Sequence, residues 1–210
     1  MLQEIFGVNG HIRAVADQYA LAGFVVLAPD VFWRQAPRIE LGYEGADRQR
    51  DLALAGAMNP DETAADLRAS VAALRARPEV ASLRAGLRAG APAKVGAIGY
   101  CMGGRLAYAA AARAGVDASV AYCGGGIHNQ LAMAGSITCP MQFHCAEHDD
   151  HIPPSAVQSV REAFAGKPAE VFVYPGSMHG FNCGSRASYH APSAALAHGR
   201  SLTFLAQQLF

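Results

Sequence analysis

Val95-Gly96-Ala97-Ile98-Gly99-Tyr100-Cys101-Met102-Gly103-Gly104-Arg105-Leu106-Ala107-Tyr108-Ala109-Ala110-Ala111 decides the fold. Its apolar start reads as a buried strand, Gly99 to Gly103 as Gly-x-nucleophile-x-Gly, and the stretch from Gly104 as a helix. Strand, tight turn and helix in this order form a nucleophile elbow, with cysteine where serine is more usual. The turn is so sharp that its flanks must be small, which accounts for the paired glycines. It lifts the Cys101 side chain above the sheet and leaves the Met102 N–H free to face a developing oxyanion.

Outward from the elbow, apolar strand-like runs alternate with amphipathic stretches, as in a parallel α/β sheet with helices on both faces. The strands are expected at Phe24–Ala28, Lys94–Ile98, Ser119–Cys123, Met141–Cys145 and Glu170–Tyr174. Helices are expected at Gly10–Leu21, Asp61–Ala76, Pro154–Ala165 and Ser193–Leu209, each with apolar residues at helical spacing. Phe32–Gly56 has weak periodicity and reads as an excursion over the carboxyl edge of the sheet, where α/β folds bind ligands. The chain opens almost inside a strand end, Ile5-Phe6-Gly7. The expectation is therefore a sheet lacking its first strands and a start that is truncated or misannotated.

The 210 residues fit one domain, residues 1–210, able to bury a sizeable core. With 51% hydrophobic and 16% charged residues, disorder is not expected. Seventeen basic and seventeen acidic side chains cancel and are interspersed, so no nucleic-acid or polyanion partner is implied. No apolar run approaches the roughly 20 residues of a membrane helix, and no signal peptide is visible. The five cysteines form no CxxC pair, which argues for a reducing, cytoplasmic setting and against a disulfide scaffold or zinc site. Cys123, Cys139 and Cys145 read as small buried hydrophobes.

A cysteine nucleophile needs a base, and the base an orienting acid. On this topology they follow the elbow at the ends of later strands, acid first and histidine second. Ala146-Glu147-His148-Asp149-Asp150-His151-Ile152-Pro153 supplies the acid, and Pro175-Gly176-Ser177-Met178-His179-Gly180-Phe181 supplies His179. Asp149 and Asp150 compete, since one of them could cap the helix near Pro154. A metal cluster of His144, His148, Asp149 and His151 lacks a zinc motif, and no metal or organic cofactor is expected.

Taken together, GYCMGG at 99–104, QEIFGVN at 3–9, APD at 28–30, DDHIP at 149–153 and HGF at 179–181 resemble the dienelactone hydrolase family, in order and along essentially the whole chain. The resemblance implies an α/β-hydrolase fold and a triad of Cys101 as nucleophile, His179 as base and Asp149 as acid. It prefers Asp149 because the family's aspartate lies three residues before the Val/Ile-Pro pair. It adds Ile5 as the second oxyanion N–H beside Met102, and Glu4 as the carboxylate that holds the Cys101 thiol until an anionic substrate displaces it. The implied reaction is hydrolysis of a lactone or ester through a thioester on Cys101.

Dienelactone-cleaving members bind a substrate carboxylate with arginines. Arg48-Gln49-Arg50 matches one such stretch and nominates Arg50; the position of the other, four residues after the histidine, is Cys183, and the next arginine is Arg186. Two other classes share features with this chain. Glutamine amidotransferases also set cysteine on an elbow, but His179 lacks their neighbouring glutamate. A non-catalytic or redox-sensing binding protein on the same fold would leave Cys101 unacylated. The expected partner is a small, anionic lactone or ester, and the expected state a monomer or weak homodimer.

Overall fold

The structure is a computed structural model that describes residues 1–45, 47–80 and 93–210, with only the main chain of Arg48. Helices α1 (Gly10–Leu21), α2 (Asp47–Gly56) and α3 (Pro60–Arg75) precede β1 (Gly96–Tyr100). Then follow α4 (Met102–Arg113), β2 (Ala118–Tyr122), β3 (Met141–His148), α5 (Pro154–Ala163), β4 (Ala169–Met178) and α6 (Ala191–Leu209). Among the described residues the four strands form one sheet in the order β1-β2-β3-β4, every pair parallel, with Ile98 opposite Val120 and Ala121 opposite Phe143.

Alternation along the strands divides the core between the two faces of the sheet. Ala97, Ala121 and Phe143 pack with α3 and α4, including Leu67, Val71, Leu106 and Ala110. Ile98, Tyr100, Val120 and Tyr122 pack on the other face with α1 and α6, including Ile12, Val15, Phe204 and Leu205. Local chemistry fixes the helix starts. The Asn9 side chain caps α1 through the Ile12 N–H, and Asn59 caps α3 ahead of Pro60 through the Asp61 and Glu62 N–H groups. No helix among the described residues is long and apolar enough to cross a membrane.

One expected strand is not formed. Phe24–Ala28 has no strand conformation and is partly exposed. The segment beside it is short: Leu2 makes a single parallel bridge to Gly99, and the Met1 ammonium donates to Leu27 O at 2.7 Å. With so few residues between it and β1, no ladder of hydrogen bonds extends to Phe24–Ala28. β3 and β4 run three and four residues past their expected ends, their register shifting between Ala146 and His148. β4 is the edge strand, where Pro175 costs no ladder bond on its open side. The excursion after Phe32 holds α2 and buries Phe32, Ile39 and Leu41 in the core.

Candidate active site

Cys101 occupies φ 54, ψ −117, outside the regions open to L-residues at low cost. The surroundings enforce it. A Cβ on Gly99 would lie 1.9 Å from Gly103 O, and one on Gly103 would lie 2.2 Å from Leu2 O. Strand, turn and N-terminal segment thus approach backbone to backbone. The Cys101 N–H donates to Tyr122 O at 2.9 Å, and its carbonyl accepts from Gly104 at the start of α4. The sulfur consequently stands at the N-terminal end of a 12-residue helix, the positive end of its dipole.

His179 follows β4 directly, held by a chain that reverses at Gly180 (φ +76). Its Nε2 is 3.1 Å from Cys101 Sγ, and its Nδ1 is 2.8 Å from Asp149 Oδ2. The other oxygen of Asp149 accepts the His151 N–H at 2.9 Å, which fixes the carboxylate's plane. Asp149 is buried whereas Asp150 is exposed, so the choice between the two aspartates falls to burial. Burial works against charge on both members of the pair. For His179 the contacts with Asp149 and Cys101 outweigh it and raise the imidazole from 6.5 to about 10. For Asp149 the hydrogen bond and charge of His179 outweigh burial and hold the carboxyl below its usual range. His151 lies edge-on to the His179 ring at 4.8 Å between centroids.

Of the two expected oxyanion donors, Met102 follows Cys101 directly, and Ile5 lies in the N-terminal segment that meets the elbow at Leu2. The Met102 N–H opens α4 and has no partner within the helix. Ile5 is half-buried, and its N–H has no acceptor among the described residues. Glu4 is 1% exposed. Arg186 Nη1 donates to its Oε1 at 3.3 Å, while Oε2 makes no hydrogen bond among the described residues. Burial raises the Glu4 carboxyl despite the opposing charges of Arg186 and His179. The thiol therefore rests on His179, and the expected hold of Glu4 on Cys101 is not among the described hydrogen bonds. Arg50, on α2, is exposed and has no described ion pair.

Arg186 is the residue that spacing alone left unplaced. Its guanidinium lies 5.8 Å from the ring centroids of both Phe6 and Tyr43, and a Cβ on Gly180 would meet its Nη1 at 2.3 Å. It thus covers the residue after His179. Cys123, read as an inert hydrophobe, is buried beneath the same pair: its sulfur, an Asp149 oxygen and a His179 nitrogen lie within 4.8 Å of one another. The four-residue metal cluster weighed from the sequence is dispersed. His144 is buried among Gln142, Tyr174 and Ser201, and the exposed His148 pairs with Glu147.

Known proteins are similar to this chain along essentially its whole length. The model for the "Dienelactone hydrolase family" matches residues 1–209. A carboxymethylenebutenolidase of Pseudomonas putida is 35% identical over 207 residues, covering 97% of this chain and 83% of its own. Carboxymethylenebutenolidase 1 of Cupriavidus pinatubonensis is 32% identical over 206 residues, covering 97% and 83%. Among solved structures, a dienelactone hydrolase-like promiscuous phosphotriesterase from metagenomic libraries superposes with a TM-score of 0.80 at 22% identity, covering 100% of this chain and 85% of that one. At that identity the likeness establishes a shared fold.

Proposed function

Since the chain belongs to the dienelactone hydrolase family, we propose that it hydrolyses a carboxylate-bearing lactone or ester by acyl transfer through Cys101. The observation that carries this reading is the 3.1 Å approach of His179 Nε2 to Cys101 Sγ, with Asp149 on the far nitrogen. The chemistry follows from those three groups. An imidazolium on the sulfur is the arrangement of a thiolate–imidazolium pair. The sulfur attacks the carbonyl carbon, the carbonyl electrons move onto oxygen, and the Met102 and Ile5 N–H groups receive that oxyanion. Collapse breaks the C–O bond, and the leaving oxygen takes the Nε2 proton of His179. The neutral imidazole then removes a proton from water, hydroxide attacks the thioester, and the sulfur leaves as thiolate. Asp149 keeps the second proton on Nδ1 throughout, so that Nε2 always faces the reacting atoms.

Arg186 supports the anionic substrate class. It is a guanidinium against the residue after the histidine, 5.8 Å from the Phe6 and Tyr43 rings, and its Glu4 partner leaves part of its donor fork unused. A substrate carboxylate would compete with Glu4 for it. Freed from Arg186, Glu4 could then meet the thiol side of the site, the gating role that its family position implies. Arg50 is the second candidate cation.

Paired lactones with and without a carboxylate, compared on wild type, Arg186→Ala and Arg50→Ala, test this. The reading expects a loss of about 10²-fold in kcat/KM with Arg186→Ala, confined to the carboxylate-bearing member, as suits a charged hydrogen bond of roughly 2–3 kcal/mol. Equal losses on both members, or no loss, would remove Arg186 from substrate recognition.

A further inference from the structure

Three residues far apart in sequence meet beside the site without belonging to the triad. Glu4 comes from the N-terminal segment, His11 from the first turn of α1 and Cys183 from the loop before α6. One carboxylate oxygen, one ring nitrogen and one sulfur from these side chains all lie within 4.8 Å of one another. Glu4 and Cys183 are buried and His11 is half-buried.

Two further observations point to a ligand. Glu4 Oε2 is fully buried and makes no hydrogen bond among the described residues, whereas Oε1 is already engaged by Arg186. A buried carboxylate oxygen left unpaired is costly, and a cation is the partner it lacks. The Cys183 thiol donates to the Tyr43 hydroxyl at 3.2 Å. A carboxylate, an imidazole and a thiol form the mixed donor set that borderline-soft divalent ions prefer. The Asn182 side-chain amide nitrogen lies 3.5 Å from His11 Nε2.

We propose that Glu4 Oε2, His11 and Cys183 form a three-ligand site for a zinc-class divalent cation, with solvent or a small anion completing a tetrahedron. Around a tetrahedral zinc such ligands stand about 3.5 Å apart. From separations of at most 4.8 Å the cluster therefore contracts by up to about 1.3 Å on loading, within the reach of side-chain torsions. Binding replaces the Cys183 S–H bond by a sulfur–metal bond and releases that proton to solvent. Carboxylate and thiolate together neutralise the dication, and Arg186 keeps its hold on Oε1. The loaded site ties the N-terminal segment, α1 and the loop before α6 to one another.

Cobalt(II) titration of the metal-stripped full chain, with a phosphine reductant, tests the site without reference to activity. The expected result is one equivalent of Co²⁺ bound, with a thiolate-to-cobalt charge-transfer band in the near ultraviolet that Zn²⁺ displaces. Cys183→Ser abolishes that band, and His11→Gln lowers Co²⁺ affinity at least about tenfold. Cys101→Ser and Cys123→Ser both retain the band, which separates this cluster from the triad and from the Cys123–Asp149–His179 group. No band in wild type, survival of the band in Cys183→Ser, or its loss in Cys101→Ser or Cys123→Ser would each overturn the proposal. If Cys183→Ser loses its native circular dichroism, the half-buried His11→Gln decides, and unchanged Co²⁺ affinity there is the contrary result.

Discussion

Replacing Asp149 by Asn keeps the shape of the side chain and removes its charge. In the structure that charge stands 2.8 Å from His179 Nδ1 on a side chain with no exposure. Against the pull of burial, Asp149 and Cys101 together lift His179 from 6.5 to about 10, a stabilisation of its protonated form by about 5 kcal/mol at 1.36 kcal/mol per unit. Losing the Asp149 portion while burial persists should lower the imidazole by about 2 units or more, or roughly 3 kcal/mol. The new amide can also donate to Nδ1, which favours the tautomer whose Nε2 carries the proton and cannot accept one. A fall in kcat of roughly 10³- to 10⁴-fold is expected. The assay is NMR titration of histidine-labelled protein, read together with the rate of Cys101 alkylation by iodoacetamide between pH 5 and 10. The Asn variant should show His179 titrating well below wild type and slower alkylation at neutral pH. A His179 titration within one unit of wild type, with alkylation unchanged, would refute the reasoning.

Gly99→Ala puts a Cβ 1.9 Å from Gly103 O and 2.2 Å from its carbonyl carbon; since both contacts are backbone, the elbow must open. A loss of about 4 kcal/mol or more in urea unfolding is expected, or no soluble protein. Stability should also depend on pH through His179. Its folded value lies above the unfolded one, so its contribution is complete below about pH 6.5 and is lost as pH rises through about 10. The urea midpoint should therefore fall between pH 6.5 and 10, and Asp149→Asn should flatten that slope. Asp149 has the opposite sign: its depressed carboxyl contributes above the unfolded value and is lost as pH falls through the folded one. Glu4→Gln removes a buried negative charge from beside Arg186 and should lower KM for carboxylate-bearing substrates severalfold, measured against neutral esters as control.

The elbow was legible because its physics is local. Backbone-to-backbone contacts at Gly99 and Gly103 leave no room for a side chain, so the glycines themselves spell the turn. The triad order could be read because a parallel sheet delivers the ends of successive strands to one edge. Phe24–Ala28 misled because β-propensity describes what a strand would do with a neighbour, and its neighbouring segment is only a few residues long. β4 was cut short at Pro175-Gly176, which marks a turn in most contexts but is tolerated on an edge strand. Arg186 escaped placement because its reach depends on the loop after Gly180, and loop paths leave no periodicity to read. Glu4, His11 and Cys183 were hidden for the same reason: nothing in the spacing of positions 4, 11 and 183 announces that they converge.

The central claim is that Cys101, poised by His179, becomes the acyl carrier. Rapid acid quench of the enzyme with a p-nitrophenyl ester, followed by intact-mass and peptide mass spectrometry, tests it directly. The account expects a burst of about one p-nitrophenolate per chain and a matching acyl mass on the peptide holding Cys101, both absent in Cys101→Ala. A wild-type enzyme that turns over the ester with no acyl group on Cys101, or with the acyl mass on Cys123 instead, would contradict it.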